Sequence, residues 1–242
     1  MHDLSLSVVI MAFNEEACLP IQLDRTLRYL RANVRDFEIL VVDDGSVDAT
    51  AEIVRRTALC EPRVRLLSHS RNLGMGRAIR TGYRAATKEW VTQLPADGQV
   101  PPETLEAFIG AAKEVDLVLS VYDRRGDGLT RALLSASYRV VGRVVLGARA
   151  DYTGTMLFRR ALLDSAPLFS DTFFVNLEFP LQCLGRGVTH KIVTFRPAPR
   201  LAGRSKVATA RRIARVAAEM VAMRVRLARG IYERHAQGDG WR

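Results

Sequence analysis

The chain has 242 residues, of which 48% are hydrophobic and 26% charged, and its net charge is +10. That composition supports one large domain, or a domain with an appendage, and excludes a disordered chain. The positive balance favours anionic partners such as phosphate esters, nucleic acid or an acidic membrane surface, without choosing among them.

Three cysteines, Cys18, Cys60 and Cys183, stand far apart with no CxxC, so neither a disulfide framework nor a zinc site is expected. They read as small apolar fillers. The four histidines form no HxxH or HExxH pattern. No apolar run reaches the roughly 18–20 residues that a bilayer span needs. Asp3 stands where a signal peptide carries basic residues, and the apolar run from Leu4 to Phe13 reads as a strand. The expected location is therefore the cytoplasm.

In chain order, Leu6–Met11 is a buried strand. Asn14 then suits an N-cap, with Glu15 and Glu16 in the first helical turn. The helix that follows carries Leu19, Leu23, Leu27 and Leu30 on one face. Phe37–Val42 is a second strand that runs into Asp43-Asp44-Gly45-Ser46, with Ser46 placed to cap a helix from about Asp48 to Leu59. Val64–Leu67 is a third strand, followed by Arg71-Asn72-Leu73-Gly74-Met75-Gly76 and a helix from about Arg77 to Ala86. Trp90–Leu94 is a fourth strand, ended by Pro95 and followed by the turn Asp97-Gly98-Gln99. Pro101-Pro102-Glu103 opens a helix, and Asp116–Val121 is a further strand.

This alternation predicts an α/β fold, a mostly parallel central sheet with helices on both faces. Ligands of such sheets sit outside the carboxyl ends of the strands. Four polar strand ends converge there: Phe13-Asn14-Glu15, Asp43-Asp44-Gly45-Ser46, Arg71 to Gly74, and Asp97-Gly98-Gln99. A carboxylate after the second strand can accept hydrogen bonds from ribose hydroxyls or a base N–H. Asp97 can hold Mg²⁺ or Mn²⁺, hard cations that bind one or two carboxylates together with substrate phosphates. Neither GxxxxGK[ST] nor a GxGxxG after the first strand is present.

Beyond Tyr122 a basic loop, Asp123–Thr130, leads to an expected helix from about Thr130 to Leu146. Asn176–Leu184 reads as a helix containing Glu178, Val188–Phe195 as a strand, and Gly203-Arg204-Ser205-Lys206 as a basic loop. A long helix from Val207 to about Arg234 carries Ile213, Val216, Met220, Met223, Leu227 and Ile231 as an apolar stripe. Arginines flank that stripe. It can pack on the protein's own core or lie in the headgroup region of a membrane.

SVVIMAFNEE, EILVVDDGSVDAT, RNLGMGRAI and LPADGQ, in this order, resemble the family-2 GT-A glycosyltransferases, most closely the dolichol- or polyprenyl-phosphate sugar synthases. The likeness extends to Asp151-Tyr152-Thr153-Gly154 and Gly203-Arg204-Ser205-Lys206. It implies a GT-A fold over residues 1–206, with a Rossmann-like nucleotide half to about 100 and an acceptor half from about 101. Residues 207–242 would form the basic amphipathic helix and tail. It also implies a hexosyltransferase that moves a sugar from a UDP- or GDP-linked donor to a polyprenyl phosphate, with peripheral contact on the inner membrane face.

Carried onto this sequence, the family's nucleotide-binding role falls to Phe13, Glu15, Asp43, Asp44, Asn72 and Gly74. Metal ligation, of Mg²⁺ or Mn²⁺, falls to Asp97 and Gln99. The acceptor phosphate falls to Arg124, Arg131, Ser135, Arg204 and Ser205, with Lys206 closing on the phosphates. Asp97, Gln99, Arg131 and Lys206 form the implied catalytic set.

One departure bears on this assignment: Pro95 stands where the family's metal motif begins with a second aspartate. That leaves weaker metal binding, support from Gln99, or loss of the metal as open outcomes. Met11, where the family often has proline, is harmless. A lipid phosphate needs no general base. A hydroxyl acceptor does, and Glu178 and Asp151 are the carboxylates nominated for it. A soluble or saccharide acceptor, or a catalytically impaired nucleotide-sugar binder, stand as alternatives. Nucleic-acid binding has no recognisable motif and few aromatics, 7%.

Overall fold

A computed structural model describes residues 1–123, 154–202 and 210–232, the side chains of 210–213 excepted. The expected helix at 130–146 and the basic loop at 203–206 lie outside the described residues. Seven strands form one sheet: β1 (His2–Ala12), β2 (Val34–Asp43), β3 (Val64–Ser68), β4 (Trp90–Pro95), β5 (Leu117–Tyr122), β6 (Leu157–Arg159) and β7 (His190–Phe195). Their order is β3-β2-β1-β4-β6-β5-β7. All neighbours are parallel except β6, which runs antiparallel to both β4 and β5. β6 has only three residues, too short for any periodicity to announce it.

Both faces of the sheet are covered, so the central strands are near-continuous apolar runs. Alternation sorts them. Leu6, Val8 and Ile10 pack with Leu19, Leu23, Leu27 and Leu30 of α1 (Leu19–Asn33) on one face. Val9 and Val42 face the other way, onto Ile79 and Tyr83 of α3 (Met75–Ala85) and Phe179 of the helix Val175–Gly185. α2 (Thr50–Cys60) precedes β3, and α4 (Leu105–Ala111) follows a 3₁₀ turn at Pro102–Thr104. α5 (Leu162–Ser165), α6 (Val175–Gly185) and α7 (Ala210–Ala228) complete the helices among the described residues. Burial pushes the Cys183 thiol up to about 12, in keeping with an inert filler.

Three local readings change. Asn14 does not cap α1. It adopts a left-handed φ of 52°, its side chain accepts the Val47 N–H at 2.9 Å, and the helix starts at Leu19. Ser46 does not cap α2 either, because its hydroxyl accepts the Asn14 N–H at 2.9 Å. The entrance to α2 is served by Asp48, which takes the Thr50 N–H at 3.0 Å, and by Glu16, which takes the Ala49 N–H at 2.9 Å. Thus the loops after β1 and β2 are stitched to each other. Third, the apolar stripe of the last helix is interrupted. Gly230 takes a φ of 61° after the helix ends at Ala228, so Ile231 does not continue it.

Met220 and Met223 of α7 are buried in the core beside α3 and α6. The face turned away presents Val221 and Val225 at the surface, and Leu227, one turn beyond Met223 in the same stripe, is exposed.

Candidate active site

Register brings the strand ends to one edge. Ala12 pairs with Asp43, Met11 with Pro95, and Asp43 with Ser68. β1 lies between β2 and β4, so the chain winds outward in opposite directions on its two sides. That is the switch point where a crevice forms beyond the carboxyl ends.

On the β2 side, Asp43 and Asp44 are both buried. Asp43 Oδ1 accepts the Ser46 N–H at 3.1 Å and closes the turn. Asp44 reaches across to the loop after β3. Its Oδ1 accepts the Leu73 N–H at 2.9 Å and its Oδ2 the Gly74 N–H at 2.8 Å. His69 Nδ1 lies 2.7 Å from the same Oδ1, and His69 Nε2 lies 3.0 Å from Thr81 Oγ1. Asp44 therefore fixes the 73–74 backbone at this edge of the sheet. Gly45 makes that approach possible. It has a φ of 72°, and a Cβ there would stand 2.3 Å from the carbonyl carbon of Arg71. Asn72 is exposed on this loop, and Phe13 is half-buried just past β1.

On the β4 side, Asp97 Oδ1 accepts the Gln99 N–H at 3.0 Å, which shapes the turn after Pro95. Asp97 Oδ2 lies 3.5 Å from Nη2 of Arg200, and the same nitrogen donates to Glu15 Oε1 at 2.9 Å. Glu15 and Asp97, from different loops, thus face one cation. The structure brings together Phe13, Glu15, Asp43, Asp44, Gly74, Asp97 and Gln99 along one edge. Arg124, Arg131, Ser135, Asp151, Arg204, Ser205 and Lys206 lie outside the described residues.

Sequence reasoning missed Arg200 and His69. Arg200 carried a signal, since it stands three residues before the basic loop that begins at Gly203. His69 carried none, because its partners come from the turn after β2 and from α3.

Glu178 is fully buried and wholly engaged. It accepts the Phe169 and Ser170 N–H groups at 3.1 and 2.9 Å and the Tyr232 hydroxyl at 2.8 Å. A carboxylate so committed is an anchor, not a base for an acceptor hydroxyl. Nearby, Glu219 of α7 accepts the Asp171 N–H at 3.0 Å and also bonds the Thr172 hydroxyl. Asp171 in turn receives Arg77 at 2.9 Å and Arg80 at 3.0 Å, and its carbonyl accepts the Gly76 N–H at 3.1 Å. The C-terminal helix and the start of α3 are thereby joined through the 169–172 loop.

The family model "Glycosyl transferase family 2" matches residues 7–185. The chain belongs to glycosyl transferase family 2. This family-2 chain is 36% identical over 167 residues to the undecaprenyl-phosphate 4-deoxy-4-formamido-L-arabinose transferase of Pectobacterium carotovorum, covering 66% of this chain and 50% of that protein. It is 35% identical over 164 residues to the protein of the same name from Pseudomonas paraeruginosa, covering 66% and 48%. The family-2 chain spans about half the length of these curated relatives.

Among solved structures, glucosyl-3-phosphoglycerate synthase of Mycobacterium tuberculosis with Mn²⁺, UDP-glucose and phosphoglyceric acid superposes with a TM-score of 0.67 at 22% identity, over 92% of this chain and 80% of that one. Mannosyl-3-phosphoglycerate synthase of Rubrobacter xylanophilus gives 0.67 at 19% identity, over 94% and 75%. The fold is GT-A.

Proposed function

We propose that this chain transfers a sugar from a nucleotide-diphosphate donor to a polyprenyl phosphate. The observation that carries the reading is the convergence of Glu15 and Asp97 on one cation at the switch point, beside the 73–74 backbone fixed by Asp44. The names of the two curated relatives above, both undecaprenyl-phosphate transferases, supply the acceptor class.

A divalent cation fits this turn by the chemistry of its donors. Asp97 offers carboxylate oxygen already turned toward positive charge, and 13% of its side chain is accessible. Among the described residues no group of three or more histidines, cysteines and acids assembles. Asp97 and Gln99 would therefore hold the ion together with donor phosphates. When bound, the ion offsets charge on the leaving diphosphate. The acceptor phosphate is an anionic nucleophile at pH 7, so no general base is required and the protein's work is positioning. The engagement of Glu178 agrees with a site that needs none.

Among the described residues no helix is long and apolar enough to cross a membrane. With Met220 and Met223 buried, the outward face of α7 is left for an anionic leaflet. It bears Val221 and Val225 with Arg215 and Arg224, and Arg229 follows just past its end. Each such basic residue contributes about 1 kcal/mol near the surface. That supports reversible, peripheral attachment.

The test is diphosphate release from a panel of UDP- and GDP-sugars with Mg²⁺ or Mn²⁺, with and without polyprenyl phosphate. Release that depends on the lipid supports the reading, and Asp97→Ala then removes most of it. Release with saccharide acceptors alone replaces the acceptor class. Saturable donor binding with no turnover favours an impaired member, the reading that Pro95 supports.

A further inference from the structure

Arg200 is delivered to its two carboxylates by backbone. The Leu201 N–H donates to the Asp97 carbonyl at 3.0 Å, and the Ala198 N–H donates to the Gln99 carbonyl at 3.0 Å. Residues 198–201 are thereby strapped along the Asp97 turn. Leu201 lies on Gly98, where a Cβ would stand 2.5 Å from its Cδ1. Arg200 Nε also donates to its own chain, to the Ala202 carbonyl at 3.0 Å.

All three charged side chains are largely buried, with 13% of Glu15, 13% of Asp97 and 20% of Arg200 accessible. Two carboxylates this withdrawn from water need a cation between them. The two contacts are unequal. Glu15 receives a hydrogen bond of 2.9 Å, whereas Asp97 sits at 3.5 Å, an ion pair without a good hydrogen bond.

We propose that Arg200 is the resident counter-cation of the Glu15–Asp97 pair, and that it gives up Asp97 and turns its guanidinium onto the donor's diphosphate when donor and divalent cation bind. This rests on the reading that the Asp97 turn handles a nucleotide diphosphate with a divalent cation. Glu15 is the side that keeps hold, because its contact is the shorter. Asp97 is the side that is released, so it serves Arg200 before loading and the ion after. A guanidinium freed on one side is suited to phosphate, which it meets with two parallel donors. Arg200 is a positioning residue before donor binding and a diphosphate contact afterwards.

The experiment measures Mn²⁺ binding to the full chain without nucleotide, by loss of the free-ion EPR signal, and then UDP and GDP binding in saturating Mn²⁺. Wild type is compared with Arg200→Met and Arg200→Lys. Removing the competing charge should tighten Mn²⁺ binding in Arg200→Met roughly tenfold, while its nucleoside-diphosphate affinity falls roughly tenfold. Arg200→Lys, which keeps the charge and loses the fork, should hold Mn²⁺ as wild type does and recover part of the nucleotide affinity. A gain in ion affinity cannot come from misfolding. Equal Mn²⁺ affinity in wild type and Arg200→Met overturns the exchange and leaves the metal-dependent reading standing. Absence of Mn²⁺ binding in every variant, with nucleotide or without, overturns both.

Discussion

The Gly74 N–H donates to the Asp44 carboxylate at 2.8 Å, with the Leu73 N–H beside it at 2.9 Å. One carboxylate after β2 thus sets the backbone of the loop after β3. Asp44→Asn keeps one acceptor oxygen and turns an N–H donor toward the other. The expected loss is about 1–3 kcal/mol of stability, the range for a buried donor left unpaired. Denaturant melts check this, and nucleotide affinity should fall with the loop's order. A variant with wild-type stability and affinity would remove Asp44 from this role.

Gly45 makes the same loop possible by having no side chain. In Gly45→Ala the new Cβ meets the Arg71 carbonyl carbon at 2.3 Å in a left-handed conformation, so the 71–72 backbone must move. The expected outcome is weakened donor binding with the fold retained, read by titration with UDP and GDP and by circular dichroism. Unchanged binding would mean that the loop does not wall the donor crevice.

The Glu178–Tyr232 bond joins α6 to the segment that follows Gly230 after α7, and Tyr232 also gives its carbonyl to Arg186 at 3.0 Å. Burial, followed by the Glu178 charge, pushes the Tyr232 phenol upward. Tyr232→Phe should cost about 1.5–3 kcal/mol, the range for a hydrogen bond to a charged group. The pH–rate profile should keep its shape, since Glu178 moves no proton. A lost acid limb in Glu178→Gln at full folding would restore Glu178 as a base.

Stability should also fall in acid through Glu61. Its carboxyl is held down to about 2, first by the paired N–H groups of Arg63 and then by Arg31, against the opposing effect of burial. The folded value lies below the ordinary 4.5, so this contribution is complete above about 4.5 and is lost as pH falls toward 2. Thermal melts across that interval should show a shallower decline in Glu61→Gln than in wild type. Identical slopes would contradict the pairing.

The parallel strands and their order of helices were legible because Val9, Val41 and their neighbours are buried on both faces and read as continuous apolar runs. The clustering of Glu15, Asp43, Asp44 and Asp97 followed from strand ends alone. The caps did not follow. Asn14, Ser46, Glu16 and Asp48 pair across two loops 32 to 33 residues apart in sequence, and local rules assign each to its nearest helix. Arg200 was hidden for the same reason, since its partners lie 185 residues away and in the Asp97 turn. Glu178 looked available because sequence shows charge and not burial. The stripe of α7 allowed two destinations, and Met220 and Met223 lie in the domain's own core.

The most direct measurement is transfer of radiolabelled sugar from UDP- and GDP-linked donors into solvent-extractable polyprenyl phosphate by the full chain with Mn²⁺ or Mg²⁺. Label should enter the lipid with one of the two nucleotides, and Asp97→Ala should abolish most of the transfer. Label that stays in the aqueous phase with every donor, or transfer that survives Asp97→Ala undiminished, would contradict the proposed function.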